Sequence, residues 1–363
     1  MLKIIFVFIL LSVSYEQSKV YYIKKISSEN ILKIFKELNV TLGNKVGLKV
    51  HSGEKGGQYY VNPLFLQEIY DYTKGTFIEC NAAYNGSRSS TTAHQDYILH
   101  ETNWTKNNKT FVIMDTNPDK DFCLNVKKPL KINKNYVGEK LNDFDSCVVL
   151  SHFKGHTMTG YGGALKQLSL GFASQKGKAY IHTASKTIDW KEMKEHLASS
   201  EDFTKSMVDA ASTIIDYFNN KSGIVYINFM SNITMECDCH VENVNKPNLS
   251  DYGILASLDP VALDRACIDI IKNTSAYGRY EWLNQLNELQ GENILTIAEN
   301  QGMGSQKYEL IEISDSKTGY LIAVILSTVG GVTLFVGLFV GLALKNPKQK
   351  TQEDFHLTQK MNE

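Results

Sequence analysis

A glycine-rich stretch that follows a short apolar run constrains this chain more than any other feature. It extends from Cys147 to Gly171 and reads CVVLSHFKGHTMTGYGGALKQLSLG. The run from Cys147 to Leu150 has the length and β-branched content of a buried strand, and Ala164 to Leu170 has the apolar spacing of a helix. Because Gly162 and Gly163 allow close backbone approach, the first N–H groups of that helix are predicted to face an anionic ligand.

Two histidines and a lysine in this stretch are candidate functional groups. A histidine titrates near neutrality, so His152 or His156 beside a bound anion can give or take a proton. Lys166 falls in the first helical turn, where a cation opposes the helix dipole by about 0.3 to 1 kcal/mol, a position that suits an ammonium facing a ligand. We predict His156 and Lys166 as catalytic residues. The alternatives are that Lys166 points into water and that the two histidines bind zinc, for which no third ligand is evident nearby.

Two other loops supply candidate ligand-binding residues. Lys49 and His51 follow a predicted strand, at the position where open α/β sheets bind ligands. Arg88, in the segment NAAYNGSRSS, can hold a carboxylate or phosphate through two N–H groups, with Tyr84 as an orienting group. The sequence therefore predicts one pocket for a small anion, with the ligand-binding residues Lys49, His51, Tyr84, Arg88, His152, Gly162 and Gly163.

Strand and helix patterns alternate along the rest of the chain. Strands are predicted over 46–50, 76–80, 110–114, 147–150, 223–229, 253–256 and 308–313. Helices are predicted over 28–38, 91–101 and 203–219, and two more begin at Asn62-Pro63 and Asp259-Pro260. Such alternation predicts an α/β fold, in which a mixed sheet carries helices on both faces.

Two apolar segments predict that the chain enters the secretory pathway and is anchored in a membrane. Residues 1–14 combine a lysine, a short apolar run and a small-residue cleavage pattern, as a signal peptide does. Residues 319–344 form an uncharged run that is long enough to cross a bilayer as a helix.

The charges beside the second segment predict its orientation. Lysines follow the apolar run directly, so the positive-inside rule places residues 345–363 in the cytosol. Residues 17–317 are then a single α/β domain in the lumen or outside the cell. The predicted topology is that of a single-pass type I protein of the plasma membrane or an endomembrane.

The overall charge argues against a polyanionic partner. The 363 residues carry a formal net charge of -1, and their lysines and arginines are scattered along the chain. A strong positive field and zinc-finger spacings are both missing from the sequence, so nucleic acid is not a predicted partner.

In an oxidising secretory compartment, sequons predict glycosylation and cysteines predict disulfides. Asn-x-Ser/Thr sequons predict glycosylation at Asn39, Asn103, Asn108, Asn220, Asn232, Asn248 and Asn273, while Asn85 lies in the predicted pocket and is expected to stay bare. The disulfide candidates are Cys80, Cys123, Cys147, Cys237, Cys239 and Cys267, whose pairing the sequence leaves open. The alternative for Cys237 and Cys239 is a metal corner with His240.

Five blocks of the chain resemble one family. They are KVHSGEKGGQYYVNP from Lys49, NAAYNGSRSSTTAH from Asn81, SHFKGHTMTGYGGALKQLSLGFASQKGKAYIH from Ser151, CDC from Cys237 and DYGILASLDPVALDRA from Asp251. Together they are similar to domain-of-unknown-function family 362, whose members often carry an inserted ferredoxin-like module. Residues 183–203 of this chain contain no cysteine, so the resemblance implies a member without that iron-sulfur cluster.

The central block also resembles the glycine-rich block of nickel-pincer lactate racemases. That block contains a histidine, a lysine that bears the cofactor and a metal-binding histidine, and His156, Lys166 and His182 occur in the same order and spacing. The resemblance implies an acid/base role for His156, a covalent anchor at Lys166 and a divalent metal ligand at His182. Two functions remain open: an enzyme, with or without a metal, that acts on a small hydroxy acid or related anion, and a non-catalytic surface receptor that keeps the fold.

Overall fold

The computed structural model describes residues 17–117, 122–239 and 249–314 in full, and the backbone of 323–328 and 331–335. The predicted signal peptide over 1–14, the sequon Asn248, the residue His240 and the tail over 345–363 lie outside the described residues.

The centre of the fold is a ten-stranded sheet with the order β14-β13-β12-β1-β11-β10-β7-β2-β3-β4. Its strands are β1 (Ser18–Ile23), β2 (Val46–Lys49), β3 (Thr76–Glu79), β4 (Phe111–Ile113), β7 (Ser146–His152), β10 (Ile224–Met230), β11 (Gly253–Ser257), β12 (Tyr308–Glu312), β13 (Ala323–Thr328) and β14 (Gly331–Phe335). Two small hairpins pair β5 (Phe122–Asn125) with β6 (Lys134–Val137) and β8 (Lys154–His156) with β9 (Gly160–Gly162).

Helices alternate with these strands. They are α1 (Ser28–Glu37), α2 (Gln67–Thr73), α3 (Thr91–His100), α4 (Ala164–Lys166), α5 (Gln175–His182), α6 (Ser200–Asn219), α7 (Pro260–Asn273), α8 (Arg279–Glu288) and α9 (Asn293–Asn300). A π-turn over Gln167–Gly171 continues α4, and short 3₁₀ turns occur at Pro63–Leu66, Lys106–Asn108, Glu139–Asp143 and Met193–His196. The predicted α/β class with a mixed sheet is confirmed.

Side chains of the central strands alternate between two hydrophobic cores, one on each face of the sheet. In β7, Cys147 and Val149 belong to the core that contains residues of α4 to α9. Val148 and Leu150 belong to the opposite core with residues of α1, α2 and α3. Strands that are buried on both faces are continuous apolar runs, which is why β7 was recognisable in the sequence.

The predicted start of α7 shows how local sequence sets an element. Asp259 is the N-cap, and its carboxylate accepts hydrogen bonds from the N–H groups of Val261 and Ala262 at 2.8 and 2.9 Å. Pro260 occupies the first turn, where its missing N–H costs nothing. This cap fixes the point at which the chain leaves β11 and crosses the sheet.

Nearly all strands of the large sheet share one direction. Only β11 and β13 run against the others among the strands that the structure describes. The carboxyl ends of β2, β3 and β7 therefore lie together at one edge of the sheet, which is where open α/β sheets gather ligands.

The predicted membrane helix differs from the structure where its residues are described. Parts of the run over 319–344 form the strands β13 and β14, and no helix among the described residues is long and apolar enough to cross a membrane. Val, Ile, Leu and Thr suit strands as well as apolar helices, and a uniformly apolar run has no periodicity that separates the two. The remainder of this run lies outside the described residues.

Candidate functional site

A cavity of about 350 Å³ opens at the carboxyl edge of the sheet. Its walls come from the ends of β3 and β7, the loop after β2, the β8–β9 hairpin, and the helices α4 and α5. The structure brings nine of the predicted site residues to its lining: His51, Tyr84, Arg88, His152, His156, Gly162, Gly163, Lys166 and His182.

Lys166 is the half-buried cation of this cavity whose charge is least compensated. Its Nζ has no hydrogen bond or ion pair among the described residues, and its side chain lies against Gly162, where a Cβ would meet Lys166 Cδ at 3.1 Å and Lys154 Cε at 3.6 Å. Burial, and then the neighbouring Lys154, lower the pKa of Lys166 well below its usual value. Burial in the cavity wall therefore makes this amine give up its proton more readily than an exposed lysine does.

His156 lines the cavity from β8 and is held by the turn that follows it. Its Nδ1 lies 2.8 Å from the Thr159 hydroxyl and 3.2 Å from the Thr159 backbone N–H. The side chain is 7% exposed, so its orientation is set by the hairpin rather than by solvent. A ring fixed in this way is suited to proton transfer at a defined place.

The N-terminus of the α4 helix is not open to a ligand, which corrects the prediction made for it. Asp264 of α7 accepts hydrogen bonds from the N–H groups of Ala164 and Leu165 at 2.8 and 3.0 Å. Burial raises the pKa of this carboxyl group to about 6. Gly163 is required for this cap, because a Cβ there would lie 2.4 Å from Asp264 Oδ1. Its role is structural.

Arg88 is also committed to protein partners, although it lines the cavity. Its Nε donates to Glu54 at 3.1 Å, its Nη1 to Glu79 at 2.8 Å and its Nη2 to the Tyr84 hydroxyl at 2.5 Å. Although burial opposes the ionisation of Glu79, Arg88 holds the pKa of Glu79 well below its usual value. The predicted carboxylate clamp is thus an internal ion-pair network in which Tyr84 orients a guanidinium that is already satisfied.

His51 belongs to the same network. Its Nδ1 accepts from the Gly53 N–H at 3.1 Å, and its Nε2 lies 3.4 Å from Arg88 Nη2. Burial, together with the charge of Arg88, lowers the pKa of His51 well below its usual value. His51 therefore presents a neutral ring to the cavity.

His152 is held by a residue that the sequence did not single out. Asp238 accepts from His152 Nδ1 at 2.7 Å and from Lys154 Nζ at 2.8 Å, and the backbone oxygen of Ser231 lies 2.6 Å from His152 Nε2. Both ring nitrogens face oxygen acceptors, so the ring is an anchor in this wall of the cavity rather than a ligand for an anion.

The two ring nitrogens of His182 have different roles. Its Nδ1 donates to the backbone oxygen of Lys178 at 2.7 Å, and its ring stacks on Phe203 with centroids 4.7 Å apart. Burial lowers the pKa of His182 to about 4. In the neutral ring Nε2 is consequently the basic nitrogen, which is the state that ligates metals.

Lys49 lies outside the cavity lining. It is completely buried behind the wall, where its Nζ donates to the backbone oxygen of Val50 at 2.6 Å, and burial lowers its pKa to about 8. The prediction that Lys49 contacts a ligand directly is therefore wrong. The residue lies beneath the site.

The cavity wall also contains two buried polar side chains with unsatisfied hydrogen-bonding groups. The sequence did not indicate either of them. Ser151 Oγ and Gln167 Nε2 have no hydrogen-bond partner among the described residues, and both residues line the cavity. Leaving such a group unsatisfied costs about 1 to 3 kcal/mol. A ligand or water with oxygen atoms would remove that cost.

The structure divides the cysteines into two groups. Cys237 and Cys239 form a disulfide. Cys80, Cys147 and Cys267 are buried thiols outside any disulfide, and burial raises the pKa of each above its usual value. These three cysteines pack in the core, so the prediction that they are disulfide candidates is wrong. Cys123 is exposed on β5.

The sequons that the structure describes are all on the surface, at Asn39, Asn85, Asn103, Asn108, Asn220, Asn232 and Asn273. Asn85 is exposed beside the cavity rather than enclosed in it. Exposure makes the sequons accessible and leaves their glycosylation as a prediction.

Metal ligands are sparse around His182. Within residues 17–117, 122–239 and 249–314, no group of three or more His, Cys, Asp or Glu side chains is arranged to hold a metal ion. Those residues therefore do not fit a metal held by protein ligands alone.

The family model described as "Domain of unknown function (DUF362)" matches residues 46–269, more than half of the chain. The chain belongs to this family, which confirms the resemblance of its five blocks. No curated protein matches it.

Two solved structures are similar to this chain. The lactate racemase apoprotein from Thermoanaerobacterium thermosaccharolyticum is 16% identical with a TM-score of 0.37, over 59% of this chain and 50% of that chain. A Thermotoga maritima protein, a Northeast Structural Genomics Consortium target, is 13% identical with a TM-score of 0.41, over 75% of this chain and 58% of that chain. This chain thus spans half of the first structure and 58% of the second, and at such TM-scores neither similarity bears on its activity.

Proposed function

We propose that this protein is a membrane-anchored glycoprotein whose DUF362 domain binds a small carboxylate in the cavity and catalyses proton transfer on it. The substrate class is a hydroxy acid or a related anion. His156 and Lys166 are the proposed acid/base pair.

The uncompensated Lys166 carries this proposal. A lysine that pays the cost of burial without a protein partner is typical of a functional site. Charges around it point to an anion, because the cavity lining contains Lys154, Lys178 and Lys194 as further lysines and Glu79 as its carboxylate, which Arg88 already pairs. A carboxylate bound beside Lys166 would restore the ammonium that burial disfavours.

The same shift gives Lys166 two roles in a reaction cycle. As a neutral amine it can accept a proton from a bound substrate, and as an ammonium it can return one. His156, fixed at the end of β8 by the turn that follows it, is the second group. Ser151 and Gln167 would bind substrate oxygen atoms, since both have unmet hydrogen-bonding capacity among the described residues.

Binding is tested by calorimetry on the full chain, with L-lactate and oxalate as probes. Lys166→Met should weaken the binding of either probe tenfold to a hundredfold, which corresponds to about 1.4 to 2.8 kcal/mol. Lys194→Met is the matched control, because Lys194 is an exposed lysine of the same lining. It should change the dissociation constant less than about threefold. Equal effects of the two variants would contradict a specific role for Lys166.

Proton transfer is tested by exchange of the lactate α-hydrogen in deuterated water, followed by NMR. His156→Gln should abolish exchange and leave binding within about threefold, since the glutamine keeps a polar side chain but cannot shuttle a proton. Binding without exchange in the natural protein would instead support the receptor function.

A metal at His182 is tested separately, because the described residues do not provide a set of protein ligands for it. Elemental analysis of the purified protein beside His182→Ala decides it. Near-stoichiometric metal that is lost in the variant would add a metal to the site, and equal metal content in both would remove His182 as a ligand.

Membrane anchoring and glycosylation are separate parts of the proposal. They are supported by the apolar run over 319–344 and by the surface position of the described sequons. Retention in the membrane pellet after alkaline carbonate extraction, together with a mobility shift on glycosidase treatment, is the expected result. Release into the supernatant would favour the strand arrangement of β13 and β14 over a membrane span.

A further inference from the structure

The Cys237–Cys239 disulfide occupies the wall of the cavity. Both cysteines are lining residues, and only Asp238 separates them in the chain. The two sulfurs are not equally accessible, because Cys237 is 4% exposed whereas Cys239 is only partly buried.

This disulfide contributes little as a staple of the fold. The stabilisation that a disulfide gives by restricting the unfolded chain grows with the length of the loop that it closes. Here the sequence separation is 2, so almost no chain is restricted. A structural role in stability is therefore weak, and the position in the cavity wall calls for another explanation.

The surroundings of the two sulfurs differ in a way that suits exchange with a thiol. The backbone N–H of Cys239 donates to Cys237 Sγ at 3.3 Å, a contact that would stabilise a thiolate on Cys237. Exchange is faster when the leaving sulfur is the better stabilised thiolate and the attacked sulfur is accessible. Cys239 is thus the sulfur to be attacked and Cys237 the leaving group.

Charges next to the pair favour thiolates as well. Asp238 between the cysteines is held by Lys154 at 2.8 Å and by His152 at 2.7 Å, so its carboxylate does not present an unpaired negative charge to the sulfurs. Lys154 and Lys178 also line the same cavity. Reactive cysteines occur in such electropositive and partly exposed places, in contrast to the buried Cys80, Cys147 and Cys267.

We propose that Cys237 and Cys239 form a redox-active pair that exchanges with small thiols entering the cavity. The thiolate of an incoming thiol attacks Cys239 Sγ, the bond between the two cysteine sulfurs breaks, and its electron pair leaves on Cys237. A second small thiolate then attacks the incoming sulfur of the mixed disulfide. That step releases an oxidised small disulfide and leaves Cys239 as a thiolate, so the two electrons come from the two small thiols. Protons from solvent complete the two cysteine thiols.

Redox titration of the natively folded full chain tests the pair. The protein is equilibrated in buffers of reduced and oxidised glutathione, quenched with acid, alkylated and analysed by mass spectrometry of the peptide that contains residues 237–239. The pair should pass reversibly between disulfide and dithiol, while Cys80, Cys147 and Cys267 stay unalkylated until the chain is unfolded. A pair that stays oxidised in excess reduced glutathione until denaturation would overturn the proposal.

Two matched single variants test the direction of attack. With Cys237→Ser, Cys239 should form a mixed disulfide with oxidised glutathione at least about tenfold faster than Cys237 does in Cys239→Ser, because only Cys239 is partly exposed. Equal rates would overturn the assignment of the attacked sulfur.

The melting temperature of the natural protein supplies an outcome that does not depend on the variants. Reduction of the pair should lower it by less than about 3 °C, since a staple worth 2 to 5 kcal/mol would shift it by about 5 to 15 °C. A shift of that larger size would identify the disulfide as structural and overturn the proposal.

Discussion

Arg88 and Lys166 are two long cationic side chains of one cavity, and the structure treats them in opposite ways. Arg88 donates to Glu54, Glu79 and Tyr84, so that its charge and its geometry are used within the protein. Lys166 has no such partner among the described residues. The comparison teaches that a cation in a pocket is a candidate for ligand binding only where the protein has not already supplied its counter-charge.

The chemistry of the two side chains explains the division. A guanidinium is planar, carries five N–H donors and stays charged when buried, so it can join several carboxylates into a rigid network. An ammonium on a flexible stem loses its proton more readily when it is buried. Arg88 is therefore suited to building the wall of the cavity, and Lys166 to responding to what enters it.

The largest effect is expected when the satisfied cation is removed. Arg88→Met leaves Glu54 and Glu79 buried without their counter-charge and should lower the free energy of unfolding by about 3 to 5 kcal/mol. Lys166→Met removes an amine without a partner among the described residues and should change it by less than about 1 kcal/mol. Urea denaturation of both variants measures the difference. Similar losses in the two would show that Lys166 also has a structural counter-charge.

A smaller loss in the free energy of unfolding is expected when the pH is lowered, and it should come from His182. The folded-state pKa of His182 is about 4, below the unfolded value near 6.5, so the unfolded chain binds the proton first as pH falls. Stability contributed by the neutral ring is therefore lost between about pH 6.5 and 4, by about 3 kcal/mol at most.

The control for this acid effect is His182→Gln, which keeps a side chain that can donate to the Lys178 carbonyl. Its free energy of unfolding should fall less steeply than that of the natural protein over the same pH range. Glu79, whose pKa is held well below its usual value by Arg88, adds to the slope only near its unfolded pKa of about 4.5 and below, and it does so equally in both proteins. Parallel pH profiles would assign the acid sensitivity to other groups.

The smallest effects are expected at two adjacent glycines. A Cβ at Gly163 would lie 2.4 Å from Asp264 Oδ1, so Gly163→Ala should destabilise the protein by about 1 to 3 kcal/mol. A Cβ at Gly162 would lie 3.1 Å from Lys166 Cδ, the flexible part of a side chain, and should cost less than about 1 kcal/mol.

Ligand binding should be affected at Gly162, the glycine whose substitution costs less stability. Gly162→Ala should weaken oxalate binding by less than about tenfold, because it displaces the lysines that lie against this position. Thermal melts and calorimetry on the two alanine variants check both expectations. Equal destabilisation by the two would remove the distinction between a glycine of the cap and a glycine of the cavity.

Much of the fold could be predicted from local sequence. The buried strand β7 is a continuous apolar run, and α7 begins with an Asp-Pro cap, so periodicity and capping were sufficient for these elements. The internal strand β1 was missed, because Ser18–Ile23 is short and follows the predicted signal peptide directly. The helix over 319–344 was predicted from hydrophobicity without periodicity, and the described parts of that run form β13 and β14 instead.

The residues that form the site were easier to predict than the hydrogen bonds and ion pairs that they make. Glycine, histidine and lysine density identified the residues that line the cavity. Counter-charges could not be identified, because Asp264 caps a helix that begins 100 residues earlier and Asp238 holds a histidine 86 residues earlier. Such contacts depend on how the sheet is assembled, which no local pattern records.

The shared direction of the strands has a consequence for how the cavity meets its surroundings. β12 and β14 both run toward the edge of the sheet where the cavity opens. Phe335, the last residue of β14, therefore lies on the same side of the sheet as the mouth of the cavity. The ends of β2, β3 and β7 lie on this side as well, so the loops that surround the opening all leave the sheet in one direction.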